Sequence, residues 1–379
     1  MSKLKSRANF VQLFRRVIEY VKSDDILTNG NDNLYPNRMR DIINESSTAS
    51  LAVRALSDFI SGMGVDEDVI VNRLGQKISE INNEIADSIA YQNEFYVHFD
   101  YSLDENMNLI PSNPVVLPYE DCRKSKPDDL NNDGLIYVAD WENRSDFNSF
   151  FNKIKDNKKK SFYPFNSSQE IVKSQIKKDA GEVDNIKDAL LKYRGQVLHV
   201  NLTPKYEYAM SLFHPVYNDA DTENRMSIYT NGIWRAGFLG KILAITSGLD
   251  EDAEDTISKW MGAEGAQGMA YISLETATDI KDAIHIEKIE SQFDEDQYKD
   301  TREAIRDNIL GCAKNLPKEL VLGSSGLFSQ SGTSIRELKL FYSEQTQKER
   351  SVIESFWKKT MNLDIKIKPI ITEDEILDN

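Results

Sequence analysis

The stretch "DLNNDGLIYVAD" sets Asp129, Asn131 and Asp133 at alternate positions, with Gly134 next in line and Asp140 at the twelfth place. Alternating oxygen donors and a glycine at the sixth position are what a calcium loop requires. Two features oppose that chemistry. The closing acid is the short aspartate, and the flanks read as a Pro-containing loop and a strand, not as two helices. The other reading is an Asn-Asp-Gly turn that opens a strand. Elsewhere the reactive residue types do not converge. His98, His199, His214 and His285 lie in separate segments with no H-x-x-x-H pair, and Cys122 and Cys312 fit no metal spacing. Gly240–Lys241 is followed by Ile242, so no phosphate loop forms there, and "GAEGAQG" at 262–268 precedes a strand where a dinucleotide loop would follow one. "GSSG" at 323–326 lacks nucleophile-elbow spacing. Acid pairs carry no signal in a chain with 62 Asp and Glu. The expectation is a protein without catalytic residues or cofactors, with a metal-dependent intracellular enzyme built on residues 129–140 as the lesser alternative.

The elements that position these residues suggest an α+β chain. At 379 residues with 40% hydrophobic content, there is length for two or three units and enough apolar material for a core. No apolar run approaches the roughly 18 residues of a membrane span, so no membrane is expected. Helical spacing is expected over 8–24, 37–60 and 75–91. "EFYVHFDY" and "LIPSNPVVLP" read as a hairpin, "GLIYVADW" and "GQVLHVNLT" as strands, and 183–193 as helical pieces. A symmetrical arrangement follows. One polar helix begins after Pro215 and another occupies 294–313. Between them stand "FLGKILAIT", "GMAYISLE" and "DAIHIEKI" as strands, with "DEDAEDTISKWMG" as a short helix. "TSIREL…KKTM" is expected to form one helix of 29 residues, and "LDIKIKPII" a closing strand. The second polar helix carries only a thin stripe of Tyr298, Ile305, Ile309 and Cys312. A rod so poor in apolar surface needs neighbours, and copies of itself in a ring would supply them.

Charge is unevenly placed. The net charge is −16, which argues against tight gripping of nucleic-acid phosphates. Residues 248–296 carry 14 acids against 3 lysines, including Asp250, Glu251, Asp252, Glu254 and Asp255, whereas 151–180 carry 8 lysines against 3 acids. By contrast, Leu320 to Ile335 is uncharged throughout, with glycine and serine around Leu327 and Phe328.

The order of elements resembles the portal proteins of tailed bacteriophages over roughly residues 31–370. "NLYPNRMRDIINESSTASLAVRALSDFISGMGV" is similar to the portal opening, and "YQNEFYVHFDYSLDENMNLIPSNPVVLPYEDCR" to the wing hairpin. "HPVYNDADTENRMSIYTNGIWRAGFLGKIL" resembles the stem entering the clip. "ILGCAKNLPKELVLG" looks like the stem exit, and "GTSIRELKLFYSEQTQKERSVIESFW" like the helix after the tunnel loop. The resemblance implies a helical arm at 1–30, a wing at 31–215, stem helices at 216–235 and 293–314, and a small α/β clip at 236–292. It further implies a tunnel-loop region at 315–335, a long helix and wing return strand at 336–370, and an acidic tail at 371–379. Little is left for a crown. Gly323, Ser324, Ser325, Gly326, Leu327, Phe328, Ser329, Gln330, Ser331 and Gly332 would then form a mobile, uncharged contact with DNA. The clip acids would face DNA or a basic partner, and Tyr298, Ile305 and Ile309 would meet a neighbouring subunit or pack within their own. The implied function is a virion ring, usually of twelve copies, assembled in the host bacterial cytoplasm. Double-stranded DNA would pass through it without tight binding. The terminase large subunit, a head-tail adaptor and the major capsid or scaffold protein would dock on it. Another viral head-tail ring or adaptor is the alternative.

Overall fold

The computed structural model describes residues 18–22, 25–126, 134–143, 147–148, 153–181, 185–235, 241–245, 270–272, 285–289, 295–322 and 332–371. Two compact units form. Residues 1–40, 57–212 and 343–379 make the first, and residues 41–56 and 213–342 the second.

The chain opens with a hairpin, β1 (Tyr20–Val21) against β2 (Ile26–Leu27). A helix expected over 8–24 therefore does not reach its end. Asp25 turns the chain with φ of 56°, and the Tyr20 hydroxyl donates to its carboxylate. Residues 8–17 lie outside the described part. The single helix expected at 37–60 is two, α1 (Tyr35–Glu45) and α2 (Ser47–Ser61). Between them the Ser46 hydroxyl accepts from Ala49 N at 3.1 Å, a local side-chain bond that ends one helix and caps the next. Gly62 then stops α2 in the left-handed region, where a Cβ would lie 2.1 Å from Lys368 O, so only glycine fits.

The first unit is built on a mixed six-stranded sheet. Helix α3 (Ile78–Gln92) places Ile78, Ile81, Ile85 and Ile89 on one buried face, and Asn93 closes it in the left-handed conformation. Strands β3 (Glu94–Leu103) and β4 (Leu109–Leu117) form the expected hairpin, with a register shift between His98 and Asp100. Next come β5 (Cys122–Lys124), β6 (Ile136–Val138), a small hairpin of β7 (Phe147–Asn148) and β8 (Lys153–Ile154), and β9 (Lys160–Pro164). Helices α4 (Gln169–Ala180) and α5 (Ile186–Lys192) precede β10 (Gln196–Asn201). The sheet order is β4-β3-β10-β9-β6-β5, antiparallel except for β9 with β10. Alternate residues of β3 serve opposite faces. Phe95 and Phe99 meet Phe356, while Tyr96 clusters with Cys122, Ile136 and Val197.

The second unit holds α6 (Tyr217–Arg235), a three-stranded sheet of β11 (Lys241–Ile245), β12 (Ala270–Ile272) and β13 (His285–Ile289), and α7 (Glu295–Cys312). The strand order is β12-β11-β13, parallel on one side of β11 and antiparallel on the other. The short α8 (Lys318–Val321) follows Pro317.

The expected 29-residue helix is also two, α9 (Gly332–Gln345) and α10 (Gln347–Met361). The break falls at the fully buried Thr346. Arg350 repairs it. Its guanidinium donates to Ser343 O at 2.5 Å, a carbonyl of the interrupted ladder, to Thr346 Oγ1 at 2.8 Å, and to Phe59 O of α2 at 2.8 Å. Trp357 of α10 anchors on Asn82 of α3 at 2.7 Å. The expected closing strand is reduced to one bridge, Ile367 with Val65, because Lys368 bonds with Met63 and Gly64 at the end of the helix turn.

Candidate functional site

The two polar helices of the second unit lie side by side and run in opposite directions. Asn308 of α7 donates to Asp219 of α6 at 3.2 Å, and the hydroxyls of Tyr298 and Thr230 lie 2.9 Å apart. Moving forward from 219 to 230 on one helix thus matches moving back from 308 to 298 on the other. At 1.5 Å per residue the contact spans roughly 16 Å. In chain order α6 leads into β11, and β13 leads into α7, so a small sheet is inserted between two antiparallel rods.

One carboxylate fixes the base of this pair. Glu223, buried on α6, accepts from the Ser46 hydroxyl at 2.5 Å, the Ser47 hydroxyl at 3.2 Å, and both Thr48 N (3.0 Å) and Thr48 Oγ1 (2.6 Å). It therefore caps the start of α2, where unbonded N–H groups and the helix dipole favour negative charge. Burial pushes the Glu223 carboxyl up, but these hydrogen bonds outweigh burial and hold it below its ordinary value. Beside it, a cavity of about 320 Å³ is lined by Glu223, Met226, Thr230, Tyr298, Arg302 and Ile305.

Ile305 and Ile309 are 5% and 0% exposed within the single chain. The chain itself covers them, which fits the second of the two expectations, packing within their own subunit. With Leu310 they form the core-facing stripe of α7, the buried Ala313 follows just past its end, and Tyr298 is tied to α6. Residues 299–304 of α7 are exposed on every side of the helix, and the buried stripe begins at Ile305.

The remaining sequence-predicted sites are dispersed. Asp250, Glu251, Asp252, Glu254 and Asp255 lie outside the described residues, as do 323–331 of the uncharged loop. Gly332 opens α9. Asp129, Asn131 and Asp133 are also outside. Asp140 is described, and its Oδ1 accepts from Glu142 N and Asn143 N, both at 3.1 Å, so it caps its own turn. Among the described residues no group of three or more His, Cys, Asp and Glu could hold a metal, and no helix is long and apolar enough to cross a membrane.

Two buried polar centres of the first unit are scaffolding. His199 Nε2 lies 2.8 Å from Glu94 Oε2, which also accepts from Ala209 N, and its ring stacks on Tyr96 at 4.2 Å. Burial lowers the His199 pKa against the pull of Glu94. This pair ties the chain after β10 to β3. Arg123 is buried and forms no ion pair within 4 Å among the described residues, with Glu94 and Asp121 acting on it only at longer range. It donates to Asn33 O (2.5 Å), Asn33 Oδ1 (2.6 Å), Cys122 O (2.7 Å) and Glu120 O (2.8 Å), and stacks over Trp141.

Sequence reasoning missed an apolar loop. Met63, Ile70 and Leu74 are 70%, 63% and 73% exposed, joined by Val69. The loop is held rigidly, with Asn72 bonded to Pro114 O and Arg73 N to Asn113, so these side chains are displayed and not merely loose. Three bare hydrophobes within 12 residues were the available signal.

No family model matches the chain, and no curated relative does. Solved structures do. A chain in the virion of the native gene transfer agent (GTA) particle is 11% identical, with a TM-score of 0.50 over 90% of this chain and 85% of its own. A chain in the neck of the empty GTA particle, computed with C6 symmetry, is 12% identical, with a TM-score of 0.51 over the same shares. An HK97 family phage portal protein from Corynebacterium diphtheriae is 12% identical over 89% of this chain and 95% of its own, at a TM-score of 0.38. Identities this low speak of fold alone, and the two GTA chains carry the comparison. The protein has the mixed helix-and-sheet fold found in the virion and neck of that particle.

Proposed function

We propose that the protein is a portal, a ring-shaped channel at one capsid vertex through which double-stranded DNA enters and leaves. The observation that carries this reading is the antiparallel pair α6–α7 with a small sheet inserted between its members, within a fold shared with a chain of a particle neck. The pair is the stem, β11–β13 belong to the clip, and the six-stranded sheet with α3 and α10 is the wing. The C6 symmetry applied to the GTA neck is consistent with a ring, and the count of twelve copies rests on the portal resemblance alone. The protein works in the virion without enzymatic chemistry of its own. It receives DNA driven by a terminase and docks a head-tail adaptor and the capsid or its scaffold. The acids of 250–255 favour sliding of DNA over sticking, or meet a basic partner.

Negative-stain electron microscopy of the purified chain is expected to show rings with a central hole. Compact monomers at every concentration and buffer would remove the proposal. The displayed loop supplies a second arm. Ile70→Glu with Leu74→Glu places charge where a neighbour would cover apolar surface, and should weaken ring formation about tenfold or more.

In this reading the uncharged loop touches DNA without holding it. Deleting 323–332 is expected to leave rings intact while impairing retention or passage of DNA in a packaging assay. Loss of rings would instead make the segment part of the assembly.

A further inference from the structure

The first unit carries a basic groove that the portal reading does not use. Helices α4 and α5 press Val172, Ile176 and Ala189 onto Tyr101, Leu109, Tyr163 and Tyr193. Their outer faces present Lys173, Lys177, Lys187 and Lys192, all exposed and in no ion pair among the described residues. Where the end of α5 meets β9, an open cavity of about 420 Å³ is lined by Lys160, Ser161, Phe162, Asp179, Lys192 and Arg194.

The charges of this groove are unbalanced in one direction. Its acid, Asp179, is consumed locally. Arg194 binds it at 2.8 Å, the Tyr163 hydroxyl donates to it at 2.9 Å, and Arg194 N lies 3.1 Å away. Arg194 is further held by Ser161 at 2.6 Å. Lys160 and Lys192 remain as cations in a lining that also includes Phe162, whose ring lies 4.7 Å from that of His98. Immediately beside them, Leu191 is 86% exposed, the barest large hydrophobe among the described residues. Glu170 and Asp188 are the exposed acids of the two helices, too few to neutralise the lysines.

A bare leucine between lysines, next to that cavity, calls for a ligand with both carboxylates and aliphatic groups. Duplex DNA would satisfy the lysines and leave the exposed Leu191 uncovered. The chain itself holds a segment of the right chemistry. Residues 372–379, "TEDEILDN", contain Glu373, Asp374, Glu375 and Asp378 around the adjacent pair Ile376 and Leu377. They lie outside the described residues. Ile371, which precedes them, belongs to the same unit as the groove, and eight extended residues reach roughly 26–29 Å.

We propose that this groove, together with Leu191, docks the acidic 372–379 segment of the chain. Carboxylates meet Lys160, Lys187 and Lys192, and Ile376–Leu377 cover Leu191 and Phe162. The interaction is rim-exposed and mostly electrostatic, so it holds at low salt and releases at high salt.

Zero-length carbodiimide cross-linking of the full chain, read by peptide mass spectrometry, tests this directly. Cross-links from Glu373, Asp374, Glu375 or Asp378 are expected to concentrate on Lys160, Lys187 and Lys192. They should vanish near 1 M NaCl, where the Debye length is roughly 3 Å. Leu191→Asp, or Ile376→Ser with Leu377→Ser, should lower their yield about tenfold while circular dichroism stays unchanged. All these side chains are exposed or outside the packed core, so the fold is not at stake. Tail cross-links spread evenly over lysines elsewhere, or a yield indifferent to Leu191→Asp, would overturn the proposal. So would a 30-base-pair duplex that protects Lys160 and Lys192 while the tail cross-links never form, since the groove would then be a phosphate site. None of these outcomes depends on ring formation, so this inference and the portal reading fail separately.

Discussion

Replacing Arg123 with methionine is expected to destabilise the first unit by about 3–5 kcal/mol, enough to prevent folding of a marginal domain. The guanidinium is wholly buried and its hydrogen bonds go to three backbone carbonyls and one side-chain amide oxygen. Burial presses its pKa down, yet the arginine stays charged because four of its five N–H groups are aimed at oxygens. Methionine fills much of the volume but leaves those oxygens without donors, in a place water does not reach. Asn33 loses most. It sits at φ of 64°, and its side chain also accepts from Asn29 N, so the turn that launches α1 is set by this contact. Lysine at position 123 should recover only part of the loss, because a point ammonium cannot span Asn33 and Glu120 together. Urea unfolding followed by circular dichroism measures the effect as a lowered midpoint at unchanged slope. A midpoint within experimental scatter of the parent would show that the arginine network is dispensable.

Glu223→Gln is expected to lower stability of the second unit by about 2–3 kcal/mol near neutral pH, from losing charge-assisted hydrogen bonds at a helix start. The glutamine oxygen still accepts, but its NH₂ faces the Ser47 and Thr48 groups that donated to the second carboxylate oxygen. The pH dependence has a definite sign. The folded-state pKa of Glu223 lies below its ordinary 4.5. Its ionised form therefore stabilises the fold fully above that ordinary value, and the contribution is lost as pH falls through the lowered one. Parent and variant should thus differ most at pH 6–8 and converge in acid. A constant difference across the whole range would mean the loss is one of shape, not of charge.

What the sequence revealed and what it hid follow from the distance over which each decision is made. The β3–β4 hairpin, β10, α6 and α7 were legible because period-2 or helical spacing is a local property. The breaks at Ser46 and Thr346 were not. The group that stabilises the first, Glu223, is 177 residues away, and Arg350 bridges the second break to Phe59, 291 residues away. Helix propensity alone runs straight through both places. Helix α4 escaped because only Val172, Gln175 and Ile176 of its 12 residues are buried, leaving a lysine-rich pattern with little periodic contrast. At the candidate site, the stripe Ile305–Ile309 was readable as apolar, but a stripe does not say whose surface covers it. Here it is the chain's own.

The joint between α6 and α7 also sets how the unit responds to load. An amide–carboxylate contact joins the helices beside Ile309, and toward Tyr298 they meet through a hydroxyl pair next to a cavity of about 320 Å³. Such ties exchange with water at little enthalpic loss, whereas interdigitated leucines resist any slip. The rods therefore behave as a cantilever, held at the buried end around Ile309 and compliant toward Tyr298. The three strands carried at the free end can tilt by shear without either helix unwinding.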